Sequence, residues 1–183
     1  MLLHSTQNNL DSSTINFNLK GTDNHFYSPE DFKDKTILII IFMCNHCPYV
    51  KAVIERLVKF QAKFADKSVQ LIGINGNDIS SYPQDSFENM VKFYAEHEMN
   101  FPYVIDETQE TAIAYGAVCT PDIYVYDSSR KLKYRGRLDN NWKDENSVTQ
   151  KDLEIITEML LEGKDISGVQ QFPSMGCSIK WKN

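Results

Sequence analysis

Two cysteines, Cys44 and Cys47, are separated only by Asn45 and His46 and stand at the end of the longest apolar run, residues 37–44. Thiols at this spacing can join in a disulfide, and thiol–disulfide exchange is the chemistry typical of such a pair. If a helix begins there, its free backbone N–H groups and positive end stabilise a thiolate and lower its pKa. We therefore expect Cys44 to be the attacking thiolate and Cys47 the resolving thiol, with a protonated His46 favouring the thiolate.

Other chemistries are open to cysteines, and the sequence weighs against them. Together with Cys119 and Cys177, the pair could on residue type alone form a four-thiolate zinc or iron–sulfur site. The second C-x-x-C that would make such a site specific is absent from the sequence. Haem attachment requires His after the second cysteine, where this chain has Pro48. No glycine-rich nucleotide motif occurs in the sequence, and we expect neither a metal nor a cofactor.

The apolar pattern predicts alternating strands and helices around the cysteines. Residues 36–43 are apolar on both alternating faces, as in a parallel strand covered by helices on both sides. From residue 47 to about residue 66, apolar residues recur every three or four positions and predict an amphipathic helix. The cysteines therefore lie where a buried strand meets a helix. Further predictions are strands at 15–19, 69–75 and 103–105, a helical turn at 28–30, helices beginning at Asp85, Asp106 and Thr149, a hairpin of 123–126 with 132–134, and an irregular but packed tail at 163–183.

Charge and hydropathy narrow the classes of partner. The 183 residues include 19 Lys and Arg against 25 Asp and Glu, a net charge of −6. This balance argues against nucleic acid or an anionic membrane as partner, since both attract clustered Lys and Arg. We expect the densest basic stretch, residues 130–137, to be a solvated hairpin face. An apolar run of eight residues is too short for a membrane span, which needs about 20. No secretory signal is visible, so we expect one cytoplasmic domain over residues 1–183.

Several segments, in order, carry a resemblance to a known family. They are C-N-H-C-P-Y-V-K at 44–51, I-N-G-N-D with Y-P-Q-D-S-F-E-N-M through residue 90, D-E-T-Q-E with A-Y-G-A-V-C-T-P-D from 106 to 122, Y-R-G-R-L-D at 134–139 and P-S-M-G-C-S-I-K-W at 173–181. The chain resembles the thioredoxin-like superfamily and, within it, peroxiredoxin-like thioredoxin-family proteins of the alkyl-hydroperoxide-reductase/thiol-specific-antioxidant (AhpC/TSA) type. The resemblance covers nearly the whole chain.

The resemblance implies an α/β, thioredoxin-like fold, with a central mixed sheet flanked by helices, an N-terminal strand extension and a C-terminal tail. It also implies that Thr120 and Pro121 form the cis-proline loop that faces the cysteines. The exposed backbone of Thr120 would then pair with an extended segment of a substrate.

The chain also departs from the patterns of related families. Peroxiredoxins have Thr three residues before the peroxidatic cysteine, and Cys44 stands there if Cys47 takes that cysteine's place. The peroxidase site is therefore not intact. Thioredoxin has a buried acid in the strand before the pair, where this chain has Leu38. We therefore expect Cys47 to lack an obvious carboxylate that assists its deprotonation.

Three further residues are candidates for auxiliary roles. Cys177 could resolve an oxidised Cys44 or pair with Cys119, although a lone cysteine among apolar neighbours is more often inert. Arg137 is either a charge near the thiolate or an exposed hairpin residue, and we expect the latter.

The sequence thus favours a thiol–disulfide oxidoreductase that acts through Cys44 and Cys47. Its partners would be a disulfide-bearing protein or small thiol and a thiol reductant. One alternative is a peroxiredoxin-like peroxidase, in which one cysteine forms a sulfenic acid that another resolves. A second alternative is a non-enzymatic thioredoxin-fold module that binds a metal or senses redox state. The sequence does not indicate an oligomeric state.

Overall fold

The computed structural model describes residues 1–5 and 10–182, where a seven-stranded mixed sheet is flanked by helices and joined by a smaller three-stranded sheet. The strands are β1 (Leu2–His4), β2 (Leu19–Gly21), β3 (Phe26–Tyr27), β4 (Ile37–Phe42), β5 (Val69–Asn75), β6 (Tyr103–Ile105), β7 (Cys119–Thr120), β8 (Asp122–Tyr126), β9 (Leu132–Gly136) and β10 (Met175–Ser178). The helices are α1 (Pro48–Phe64), α2 (Phe87–Glu96), α3 (Glu110–Ala114) and α4 (Asp152–Leu161), with short 3-10 turns at Pro29–Phe32, Pro83–Asp85 and Glu145–Ser147.

Strand β4 lies near the middle of the large sheet, whose order is β3-β2-β6-β5-β4-β8-β9. It pairs in parallel with β5 and antiparallel with β8. All six of its residues are buried, because alternate side chains enter two different cores. Ile39 and Ile41 pack in the core that contains α1, whereas Leu38 and Ile40 pack in the core on the opposite face. The predicted doubly covered strand is confirmed, and it delivers the cysteines to the edge where α1 begins.

The small sheet joins both ends of the described chain to the loop before Pro121. Its order is β1-β10-β7, and both pairings are antiparallel. Cys177 in β10 stands opposite Leu2 on one side and Thr120 on the other. The prediction of an irregular tail is therefore wrong for residues 175–178, which form the central strand of this sheet. Their edge-to-edge pairing has no local signal, because both partners are far away in sequence.

Other boundaries also differ from the predictions. The strand predicted at 15–19 is wrong: the strand is Leu19–Gly21, and the Ile15 carbonyl accepts a hydrogen bond from the Tyr115 hydroxyl instead of a ladder bond. The predicted hairpin is confirmed as β8 and β9, which extend slightly beyond it at Asp122 and Gly136. Helix α4 begins at Asp152, three residues later than predicted. None of the described helices is both long and apolar enough to cross a membrane.

The basic stretch 130–137 is not the solvated face that we expected. Arg135 is only 5% exposed, and its guanidinium donates to the Asp122 carboxylate at 2.6 Å and lies over the Tyr124 ring. Burial raises the pKa of Asp122 to about 6 even though Arg135 opposes this shift. The pair cross-links β8 and β9 inside the molecule because alternate residues of a strand point to opposite faces.

Candidate active site

The two cysteines of the C-x-x-C lie between the end of β4 and the start of α1. Cys47 is the N-cap residue of α1, and Pro48 takes the first helical position, where its missing N–H costs nothing. Cys44 and Cys47 are 1% and 0% exposed as whole residues. The Cys44 Sγ lies 3.5 Å from the Thr120 Oγ1, and a protonated Cys47 donates to the Thr120 carbonyl oxygen at 3.2 Å. The strand-to-helix placement predicted from sequence is confirmed, but neither thiol is open to solvent.

The acidity of the two thiols is the reverse of what we expected from the sequence. The pKa of Cys47 is lowered to about 5, chiefly because the Cys44 thiol hydrogen-bonds to it, and burial opposes the shift. The side chain of Thr120 and the backbone N–H groups of Val50 and Cys177 lower it further. The pKa of Cys44 is raised by its bond to Cys47, by burial and by the nearby charge of Asp85. These shifts give Cys47, at the helix N-terminus, the lower pKa of the two.

The loop between the cysteines is held by a carboxylate that the sequence analysis did not assign to the site. Asp85 is fully buried, and its Oδ1 accepts from the backbone N–H groups of Asn45 at 2.8 Å and His46 at 3.2 Å. Its Oδ2 accepts from the Asn77 side chain at 2.7 Å and lies 2.6 Å from the His46 Nδ1. Asp85 therefore fixes both the backbone of the loop and the ring of His46.

The sequence pattern around Asp85 predicted a helix start and gave no indication that its carboxylate holds the loop between the cysteines. The motif Asp85-x-x-Glu88 is typical of a helix N-terminus, but the N-cap of α2 is Ser86, whose Oγ accepts from the Asn89 N–H. The usable signal was the pair of asparagines in I-N-G-N-D, since Asn75 also donates to the Asp85 carbonyl at 2.8 Å. Polar side chains at the end of a buried strand satisfy a buried acid.

The surroundings of His46 differ from the prediction. We expected this residue to act on the Cys44 thiolate, whereas its hydrogen-bond partner is Asp85 and its ring stacks on Tyr82, with the ring centroids 5.8 Å apart. Cys44, His46 and Asp85 offer ligand atoms within 4.8 Å of one another, and this is the group of metal-ligating side chains that the described residues bring together. Both oxygens of Asp85 already accept two hydrogen bonds each. The group is therefore a satisfied network that positions the loop.

Thr120 and Pro121 face the cysteines, and the peptide bond between them is cis, as the resemblance implied. The expected open backbone is not found. Thr120 is 2% exposed, and it pairs with Cys177 of β10. The position that we assigned to an extended substrate is therefore occupied by the tail of the same chain.

The three auxiliary candidates lie in different environments. Cys177 is half-buried and packs against the core cluster that contains Cys44 and Cys47, so the structure brings it into the site. Cys119 is buried, with a pKa raised by burial, and its Sγ contacts the Pro121 carbonyl at 3.9 Å. Arg137 is not an exposed hairpin residue: its guanidinium donates to Asp152 at 2.9 Å. It lines a cavity of about 200 Å³ beside Pro121.

Two solved structures are similar to this chain over nearly its whole length. A structure described as an uncharacterized conserved protein from Geobacillus kaustophilus is 40% identical, with a TM-score of 0.92 and coverage of 100% of this chain and 97% of that chain. A hypothetical protein from Sinorhizobium meliloti 1021 is 34% identical, with a TM-score of 0.93 and 98% coverage of both chains. Neither description states an activity.

A more distant structure tests the fold. The thioredoxin domain of a thiol-disulfide oxidoreductase from Bacteroides vulgatus is 18% identical, with a TM-score of 0.67 and coverage of 85% of this chain and 99% of that chain. The expected thioredoxin-like fold is thereby confirmed. No curated protein matches this chain. The Redoxin family model matches residues 10–153, which is most of the 183 residues, and the chain therefore belongs to the Redoxin family.

Proposed function

We propose that this chain is a thiol–disulfide oxidoreductase that cycles between the dithiol and the disulfide of Cys44 and Cys47. The observation that carries the proposal is the position of both thiols against Thr120, with Cys47 as the N-cap residue of α1. It provides a stabilised thiolate and, beside it, a second thiol that can attack the same sulfur. Membership of the Redoxin family supports thiol chemistry in general.

The first step is the attack of the Cys47 thiolate on a disulfide of the partner. One partner sulfur leaves as a thiolate, and the other remains joined to Cys47 as a mixed disulfide. Cys44 then gives up its proton and attacks the Cys47 sulfur, which expels the second partner sulfur. That sulfur takes up the proton. The partner gains two electrons, and the Cys44–Cys47 pair loses them.

The return step needs a reductant that supplies two electrons, and a protein dithiol or a small thiol provides them by the reverse exchange. Asp85 acts as a positioning residue in both directions. Three of its four accepted hydrogen bonds come from Asn45 and His46 and hold that loop, and its charge keeps the proton on Cys44 until Cys47 has reacted. We propose the cytoplasm as the compartment, since its thiol pool can reduce the pair.

The test is equilibration of the full chain in glutathione buffers of graded potential, followed by alkylation and peptide mass mapping. We expect a reversible Cys44–Cys47 disulfide. Cys47→Ser should abolish disulfide exchange with a model disulfide, whereas Cys44→Ser should still react at Cys47 without forming the Cys44–Cys47 disulfide. Cys119→Ser is the matched control, since Cys119 is a buried thiol outside the exchange. If Cys47→Ser retains exchange activity, the proposal is wrong.

Peroxide reduction is the second candidate, and the lowered pKa of Cys47 favours it. A thiolate at a helix N-terminus is the form that peroxide oxidises to sulfenic acid, which a neighbouring thiol then resolves. Rapid mixing with a hydroperoxide separates the candidates. Slow oxidation beside fast exchange with a disulfide supports the oxidoreductase, and the reverse order supports the peroxidase.

A further inference from the structure

The strand β10 lies along the cis-proline loop in the way that an extended partner segment would. Cys177 stands opposite Thr120 in an antiparallel register. Gly176, the residue before Cys177, packs closely against the loop. A Cβ atom placed on Gly176 would lie 1.9 Å from the Thr120 carbonyl oxygen. Only a residue without a side chain allows β10 to approach this backbone. The next residue is therefore carried directly over the thiols.

Cys177 lies next to Cys47. It packs against the core cluster that contains Cys44 and Cys47, and its contact with Cys47 is one cause of the raised pKa of Cys177. Cys47 thus has a thiol neighbour on each side, Cys44 from the same loop and Cys177 from the tail. Cys177 is half-buried, whereas Cys44, Cys47 and Cys119 are all buried. Cys177 is therefore the most solvent-accessible of the four cysteines, and it lies beside the buried pair.

We propose that Cys177 is a third redox thiol, which takes over the disulfide from Cys44–Cys47 as a Cys47–Cys177 bond and presents it to the reductant. The proposal rests on the oxidoreductase function given above. In this proposal β10 binds along the cis-proline loop as a substrate strand would, but it belongs to the same chain.

The exchange involves no net oxidation. The Cys177 thiol loses its proton and attacks the Cys47 sulfur of the Cys44–Cys47 disulfide. The Cys44–Cys47 bond breaks, and Cys44 leaves as a thiolate and takes up the proton. A small thiol then attacks the half-buried Cys177 sulfur and expels Cys47, whose low pKa makes it the better leaving group. A second small thiol resolves the mixed disulfide at Cys177, which returns all the protein thiols to the reduced state and leaves the small thiols joined as a disulfide.

Electrostatics supports the direction of this exchange. In the reduced protein the pKa of Cys177 is raised to about 11 by burial and by its contact with Cys47. Once Cys47 is part of a disulfide, its negative charge is gone and Cys177 loses one of the causes of its raised pKa. Oxidation of the buried pair thus makes the third thiol easier to deprotonate.

The test uses the full-length Cys44→Ser variant and oxidised glutathione, with disulfides mapped by mass spectrometry. Cys47 first takes a glutathione adduct, and Cys177 then displaces glutathione as a free thiol. We expect a Cys47–Cys177 bond and roughly tenfold less adduct than in Cys44→Ser/Cys177→Ser at about 0.1 mM reduced glutathione, since tethered thiols reach effective concentrations of about 1 mM. A Cys44→Ser/Cys119→Ser variant is the matched control and should behave like Cys44→Ser. A stable glutathione adduct on Cys47 of Cys44→Ser would overturn the proposal.

A second variant tests the tethered strand without removing any thiol. Gly176→Ala forces β10 away from Thr120, so the Cys47–Cys177 bond should be lost while the Cys44–Cys47 bond still forms. A circular dichroism spectrum and a melting curve show that the variant is folded. If Gly176→Ala retains the Cys47–Cys177 bond at its original yield, the strand does not deliver the thiol. Failure of the proposed oxidoreductase function gives a different result. In that case the Cys177→Ser variant would not form the Cys44–Cys47 disulfide.

Discussion

Removal of the Cys44 thiol should raise the pKa of Cys47 by a measurable amount. The Cys44 hydrogen bond is the largest of the contributions that bring this pKa to about 5 from its ordinary value of 9.0. A hydrogen bond to a charged group contributes roughly 1.5–3 kcal/mol, and one pKa unit corresponds to about 1.4 kcal/mol. Cys44→Ala should therefore raise the pKa of Cys47 by roughly one to two units, to a midpoint near pH 6–7.

The assay is the ultraviolet absorbance of the thiolate in the fully reduced protein, titrated from about pH 4 to pH 9. Cys47 should titrate alone in this range, because the pKa values of Cys44, Cys119 and Cys177 are all raised. Burial hides the thiols from alkylating reagents, whereas absorbance does not require access. The titration therefore reports on Cys47 directly.

The matched control is Cys119→Ala, which removes a buried thiol that does not hydrogen-bond to Cys47. Its midpoint should remain at about 5, as in the unmodified protein. If Cys44→Ala also keeps that midpoint, the backbone N–H groups alone stabilise the thiolate and the assigned role of Cys44 is wrong. If the unmodified protein titrates near the ordinary value of 9.0, the thiolate itself is wrongly placed.

Three further outcomes are expected. Asp85→Asn replaces an acceptor with a donor in the buried loop network and should lower the free energy of unfolding by roughly 2–4 kcal/mol in urea titrations, whereas the exposed Asp66→Asn should change it by less than about 0.5 kcal/mol. Arg135→Leu leaves Asp122 buried without its cation, so its pKa should rise above about 6, and the loss of stability, roughly 3–5 kcal/mol, should be larger at pH 8 than at pH 5. The pKa of Cys47 is lower in the folded than in the unfolded state, so its stabilising contribution is complete above pH 9 and is lost as pH falls to about 5. The stability difference between the reduced protein and Cys47→Ser should therefore grow with pH in that window by up to about 1.4 kcal/mol per unit, and a constant difference would contradict the thiolate assignment.

The sequence predicted the scaffold of the site because the relevant patterns are local. A run of apolar residues on both faces of β4 requires cover on both sides, and the three-to-four spacing of α1 provides it on one side. The cysteines fall at the junction of these two elements whatever the rest of the chain does. The cis peptide before Pro121 followed from the resemblance, not from any local pattern.

The sequence could not predict contacts that join distant segments. Asp85 lies forty residues from the loop that it holds, and locally it resembles a helix cap. Cys177 approaches Cys47 only through the pairing of β10 with β7. The order of acidity depends on both contacts, because Asp85 disfavours a charge on Cys44 and the Cys177 backbone favours one on Cys47. Spacing alone therefore indicated the pair, whereas the order of its two pKa values depends on these distant contacts.

The position of β10 near the end of the chain has a consequence for biosynthesis. A ribosome releases Cys44 and Cys47 long before it has made residues 175–178, which cover them. The chain is synthesised from its N-terminus at a limited rate, so its early segments are exposed before the later segments have been made. The two most closely spaced thiols of the protein are thus accessible throughout translation and become enclosed only when the last strand pairs. We therefore expect oxidants and folding catalysts to reach the two thiols more readily on the nascent chain than in the finished protein.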